Sequence, residues 1–121
     1  MNVEELREYC LSLPQAKENM PWTEPQYSML ATFTICDKWF CLVDLEKNFI
    51  DVKCAPDMIE DMQSKYEGAF PAWHMNKEHW LGVKLNSDIP DSIIKSLLKE
   101  GYELIVSKLP KKTREEIGLL K

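Results

Sequence analysis

The sequence predicts a single α+β domain in which helices cover one face of an antiparallel sheet. The chain has 121 residues, of which 45% are hydrophobic and 29% charged, and this is the size and composition of one globular domain. Three short segments with strand-like patterns follow one another at turn-length gaps, and segments of helical periodicity lie on either side of them. We therefore expect one domain over residues 1–121, built as a two-layer sandwich.

The first predicted element is a helix over residues 2–13. Asn2 can cap its N-terminus, and Glu5 three residues later completes the pattern of a capping box. Apolar residues recur at helical spacing before Pro14 ends the helix. These residues are Val3, Leu6, Cys10 and Leu13. An ordered loop is expected over residues 15–25.

Three adjacent strands are expected next, at residues 26–34, 39–45 and 49–54. Apolar and polar residues alternate in the first, whereas the second is apolar on both faces except at Asp44, as in a central strand. Because the turns at residues 35–38 and 46–48 are short, the three strands form an antiparallel meander.

A second helix begins at Pro56, carries an apolar stripe and ends at Gly68. Residues 69–79 are predicted to be irregular and residues 80–85 to form a strand. A long helix starts near Pro90, where Ser87 or Asp88 is the expected cap, and Gly101 is expected to permit close packing on it.

Pro110 is expected to end the long helix. The buried side of that helix is predicted from its apolar residues, which are Ile93, Ile94, Leu97, Leu98, Ile105 and Leu109. Thr113 and Glu116 have capping-box spacing and predict a last short turn that runs to Leu119.

The net charge, the apolar runs and the cysteines limit the classes of function and the cellular locations that the sequence allows. A formal net charge of −5 makes nucleic-acid binding depend on a local basic patch. No apolar run approaches the ~20 residues of a membrane-spanning helix, and the acidic N-terminal stretch does not resemble a secretory signal. We therefore expect a cytoplasmic protein with four reduced thiols and no membrane association. Those thiols are Cys10, Cys36, Cys41 and Cys54.

Both histidines and two of the four tryptophans lie in the run Pro-Ala-Trp-His-Met-Asn-Lys-Glu-His-Trp at residues 71–80. This run resembles the signature of the MmcQ/YjbR family, P-x-x-H-[ML]-N-K-x-H-W followed by a short hydrophobic strand. The family's opening E-L-x-x-[YF]-C helix, its K-x-F-x-L strand and its V-K-C-x-P joint are matched in order, and its closing stretch from a tyrosine to Leu-Pro corresponds to Tyr102–Pro110. The resemblance implies a frataxin (CyaY)-like fold and DNA binding, by similarity to a "double wing" motif.

Strand alternation suggests where binding takes place. If Leu81, Val83 and Leu85 face the helices, then Trp80, Gly82 and Lys84 face away from them, as do Phe49, Asp51 and Lys53 on their strand. We expect this to be an open sheet face, on which aromatic rings stack bases and lysines neutralise phosphates. The candidate binding residues are Lys53, His74, Asn76, Lys77, His79, Trp80 and Lys84. A purely structural alternative has Asn76 forming a turn, His74 bonding the backbone and Trp80 packing over the sheet edge.

No catalytic or metal-binding pattern is recognised in the sequence. His74 and His79 are five residues apart, which fits neither a helical nor a strand pair of metal ligands, and the four glycines form no phosphate-binding loop. We expect no metal, no cofactor and no enzymatic activity. The leading hypothesis is a monomeric, non-enzymatic module that binds nucleic acid through the open sheet face. The alternative is a protein-interaction or small-ligand domain that uses the same face.

Overall fold

The computed structural model describes residues 1–73 and 75–118. Over these ranges it has four α-helices and six strands. The helices are α1 (Val3–Ser12), α2 (Pro56–Lys65), α3 (Asp91–Lys108) and α4 (Lys111–Glu116). The strands are β1 (Lys17–Asn19), β2 (Leu30–Ile35), β3 (Lys38–Asp44), β4 (Phe49–Lys53), β5 (Ala69–Pro71) and β6 (Trp80–Lys84).

The strands form one sheet in the order β1-β2-β3-β4-β6-β5, and every neighbouring pair is antiparallel. Helices α1, α2 and α3 bury their apolar sides against one face of this sheet in a single core. The predicted α+β class, with helices packed on one face of an antiparallel sheet, is confirmed. No helix in the described part of the chain has the length and apolarity to cross a bilayer.

Two local predictions at α1 and α3 are confirmed. At α1, the Glu5 amide donates to Asn2 Oδ1 at 2.8 Å, and the Asn2 amide donates to Glu5 Oε1 at 3.1 Å, which completes the capping box. On α3, a Cβ added to Gly101 would lie 2.6 Å from the carbonyl oxygen of Lys53. Only glycine therefore lets α3 approach β4 this closely.

The predicted meander is formed by β2, β3 and β4. Cys36 and Asp37 connect the first two strands with φ values of +50° and +62°, as in the tight turns that match the twist of a hairpin. The pairing shifts between Phe33 and Thr34, and this irregularity lets both Phe40 and Cys41 enter the core. The apolar residues on both faces of this segment are thereby explained.

Three predicted boundaries are wrong, two of them because short edge strands carry too few residues for a periodic signal. Residues 17–19, expected in a loop, form β1 on β2. The strand expected from residue 26 begins only at Leu30, because Pro25–Tyr27 is a 3-10 turn. Residues 69–71, expected to be irregular, form β5 on β6.

The predicted caps in the second half of the chain are also wrong. Pro90 is the N-cap of α3 without a side-chain bond, because Asp88 instead accepts the amides of Glu67 and Gly68, each at 2.8 Å. Helix α2 ends at Lys65, before Gly68. Thr113 lies inside α4, whose N-cap is Pro110. The predicted end at Leu119 lies outside the described residues.

Candidate functional site

The second face of the sheet, which points away from the helices, carries the residues that alternation placed there. Three residues of β4 pair directly with three residues of β6 on this face. The pairs are Phe49 with Lys84, Asp51 with Gly82, and Lys53 with Trp80. The predicted orientation of these six residues is therefore confirmed by the strand register.

The expectation that this face is open is wrong at its centre. Trp80 is only 7% exposed and Asp51 is 0% exposed. A Cβ added to Gly82 would lie 2.4 Å from the ring of Phe70, so the space over this glycine is filled by that ring. Lys84 is exposed and Lys53 half-buried. Alternation fixes the direction of a side chain but not what packs above it.

The cover over Asp51 comes from residues 71–79, which we call the signature loop. The backbone N–H of Trp73 donates to Asp51 Oδ1 at 3.2 Å, and Ala72 is completely buried. The Trp73 ring lies 5.9 Å from the ring of Phe49, and the Phe70 ring lies 5.6 Å from Phe49 on another side. This hydrogen bond and the edge-to-face aromatic contacts help to hold the loop to the sheet.

Asp51 is the most perturbed acid on this face. Its Oδ2 is buried without a hydrogen-bond partner among the described residues. Burial raises the pKa of Asp51 from 3.8 to about 7, although the Trp73 amide and the charge of Lys77 lower it. A carboxyl group taken from water holds its proton because the charged form loses hydration.

Within the signature loop, the predicted binding residues Asn76, Lys77 and His79 form hydrogen bonds with the protein itself. Asn76 Oδ1 accepts the amide of Glu78 at 2.8 Å, and the Asn76 carbonyl accepts the amide of His79 at 3.3 Å, so the predicted turn at Asn76 is confirmed. The carbonyl of His79 accepts the amide of Cys54 at 3.0 Å and joins the end of the loop to the sheet. Lys77 Nζ donates to the Ala72 carbonyl at 3.3 Å. His74 lies outside the described residues.

Lys53 and Trp80 form a pair at the other end of the face. Lys53 Nζ lies 5.6 Å from the centre of the Trp80 ring, within the range of a cation–π contact. Burial, and to a smaller extent the charge of Lys108, lowers the pKa of Lys53. Trp80 is buried, so it lacks the accessibility that base stacking needs. Its burial agrees with the structural alternative for this residue.

Trp73 is the aromatic residue of this region that sequence reasoning missed. Its side chain is 45% exposed, and Lys47 Nζ lies 4.9 Å from the centre of its ring. Alternation could not find it, because Trp73 belongs to a loop. The available signal was its position in the signature run, next to His74.

The cysteines occupy different environments. Cys36 is exposed on the β2–β3 turn, whereas Cys10, Cys41 and Cys54 are buried. Burial, and then a hydrogen bond with Cys10, raises the pKa of the Cys41 thiol. Burial raises the pKa of Cys54 to about 11. Residues 1–73 and 75–118 hold no group of three or more side chains suited to bind a metal ion.

The fold and the site define a class of small two-layer α+β domain in which a signature loop closes over the second face of the sheet. The YjbR family model matches residues 11–104. The chain belongs to the YjbR family, and the family resemblance predicted from the signature run is confirmed.

Relatives and solved structures agree with this assignment. Uncharacterized protein YjbR of Escherichia coli K12 is 29% identical over 119 residues, which cover 95% of this chain and 96% of that protein. A crystal structure of the Deinococcus radiodurans protein DR2400 covers 98% of this chain and 88% of its own, with 28% identity and a TM-score of 0.86. A crystal structure of a Pseudomonas syringae protein covers 86% of this chain and 98% of its own, with 31% identity and a TM-score of 0.72.

Proposed function

We propose that this YjbR domain is a non-enzymatic module that binds single-stranded nucleic acid at the Trp73 surface, defined as Trp73 with Lys47, Lys77 and Lys84. The observation that carries the proposal is the exposed Trp73 of the signature loop, with Lys47 Nζ 4.9 Å from the centre of its ring. Aromatic rings stack on any base, and lysines beside them neutralise the phosphates.

The Trp73 ring is a preorganised platform. Its backbone N–H donates to Asp51, and its ring lies 5.9 Å from the ring of Phe49 in an edge-to-face arrangement. A ring that is already held in place loses little conformational freedom when a base stacks on it, so more of the contact energy appears as affinity.

The three lysines supply the positive charge. Lys47 is exposed and lies over the Trp73 ring. When a base stacks on the ring in place of Lys47, the Lys47 ammonium binds a phosphate instead. Lys84 pairs with Phe49 on the sheet, and Lys77 bonds to the residue before Trp73. Three phosphate contacts give a salt dependence with a slope of about −2 for a single strand.

Binding without catalysis fits the position of Asp51. This carboxyl group titrates at about 7, in the range useful for acid–base chemistry. However, it is 0% exposed beneath the signature loop, which supports a structural role for Asp51. Its role in the proposal is to hold the loop.

Fluorescence polarisation with a labelled oligothymidylate of about twelve nucleotides tests the proposal. We expect Trp73→Ala to weaken binding by about 1–3 kcal/mol. Each of Lys47→Ala and Lys84→Ala is expected to reduce the salt slope by about 0.7. Lys112→Ala, an exposed lysine on α4, is the matched control and leaves binding unchanged.

A protein partner is the second candidate, because Met20 and Met29 are each exposed, as Trp73 is. Flexible methionines suit surfaces that adapt to a partner. Such binding is apolar and insensitive to salt, whereas binding to phosphates weakens steeply as salt rises. Absence of oligonucleotide binding even at low salt contradicts the nucleic-acid proposal.

A further inference from the structure

A cleft of about 380 Å³ lies between the end of α1, the outer side of α3, and α4. This volume lies in the range of small-molecule sites. Leu13, Pro14 and Val106 supply apolar surface, and the ring of Tyr102 contributes to the same lining. The cleft is separate from the Trp73 surface, which lies on the other side of the sheet.

One polar group of this cleft lacks a partner. The Nε atom of Arg114 is buried and has no hydrogen-bond acceptor among residues 1–73 and 75–118. The ion pairs found within these ranges do not include Arg114. A buried donor without an acceptor is rare in proteins and costs free energy, so it calls for an acceptor that residues 1–73 and 75–118 do not supply.

Other polar groups of the lining are already paired. The hydroxyl of Tyr102 donates to the carbonyl of Pro14, and the hydroxyl of Ser107 donates to the carbonyl of Leu104. Lys99 adds a second positive charge to the lining and Glu103 a negative one. A ligand in this largely apolar cleft therefore meets a buried cationic donor without an acceptor at Arg114, with Lys99 as a second positive charge in the lining.

We infer that this cleft binds a small carboxylate with an apolar body. The carboxylate accepts from the Arg114 guanidinium, since a planar guanidinium binds carboxylates through paired, charge-assisted hydrogen bonds. The apolar body lies along Leu13 and Val106. A medium-chain fatty acid such as octanoate has this chemistry.

The test is a chemical-shift titration of the ¹⁵N-labelled protein with octanoate, octanol and acetate. Octanol has the chain without the charge, and acetate has the charge with almost no chain. We expect octanoate to bind saturably, with shifts at Leu13, Val106 and Arg114, and to bind about tenfold or more tightly than either analogue.

Two variants locate the site, each checked for folding by circular dichroism. Arg114→Met is expected to weaken octanoate binding about tenfold or more, while Lys112→Met on the same helix leaves it unchanged. Val106→Phe fills the cleft and is expected to abolish binding with Arg114 intact. Equal binding of octanol and octanoate, an unaffected Arg114→Met or Val106→Phe variant, or no saturable binding of octanoate overturns the inference.

Discussion

Asp51 is buried under the signature loop, and among the described residues it is the one acid with a buried oxygen that lacks a hydrogen-bond partner. Replacing Asp51 with asparagine removes this acid. Asparagine keeps the shape of the side chain and an oxygen that accepts the Trp73 amide, which is 3.2 Å from Asp51 Oδ1. Its NH₂ group has no acceptor among the described residues, which costs about 1–3 kcal/mol at every pH. The change in the pH dependence of stability therefore isolates the buried charge.

The direction and size of the change in stability with pH follow from the pKa of Asp51. This pKa is 3.8 in an ordinary aspartate and about 7 in the folded protein. Between these values the folded chain binds the proton more tightly than the unfolded chain does, so stability falls as pH rises. The stabilisation that the protonated Asp51 contributes is complete below pH 3.8 and is lost above about pH 7. A difference of about three pH units corresponds to a loss of about 4 kcal/mol in the free energy of unfolding.

Urea denaturation of the wild type and of Asp51→Asn, from about pH 4 to pH 8, measures this loss. We expect the wild type to lose stability relative to the variant by a few kcal/mol across this window. Asp61→Asn, which removes an exposed carboxylate on α2, is the control and keeps the wild-type slope. Parallel curves for the wild type and Asp51→Asn refute the reasoning.

Three further predictions concern the core and the thiols. Leu97→Ala is expected to cost about 2–5 kcal/mol in urea denaturation, because Leu97 of α3 is buried in the core, and a cost under about 1 kcal/mol contradicts its placement. Gly101→Ala is expected to destabilise the fold in the same assay, since the new methyl meets the Lys53 backbone at 2.6 Å; unchanged stability contradicts this close approach. Cys36 is expected to react rapidly with a thiol reagent in the folded protein while the three buried thiols react slowly, and an intact-mass loss matching a disulfide contradicts the expectation of reduced cysteines.

Local signals in the sequence carry the parts of the fold that were predicted correctly. The capping box of α1 depends on two residues three apart, and the meander on turns of a few residues. Gly101 was found because a glycine inside a helix weakens it and therefore needs a packing reason. The outward direction of Asp51 and Trp80 followed from strand alternation alone.

The features of the fold and of the candidate site that the sequence did not predict depend on contacts between distant segments. Trp73 of the signature loop bonds to Asp51, which lies 22 residues earlier in the sequence. The residue pattern of a strand does not indicate that a distant loop covers its outer face. Trp80 was expected to be exposed and is buried, whereas the exposed ring belongs to Trp73. The unpaired Nε of Arg114 becomes visible only once α4 is packed beside α3.

The most direct test of the proposed binding function is a chemical-shift titration of the ¹⁵N-labelled protein with unlabelled oligothymidylate at low salt. We predict that the indole N–H of Trp73 and the amides of Lys47, Lys77 and Lys84 shift saturably, and that the shifts shrink as salt is added. Absence of shifts, or shifts confined to residues away from the Trp73 surface, would contradict the account.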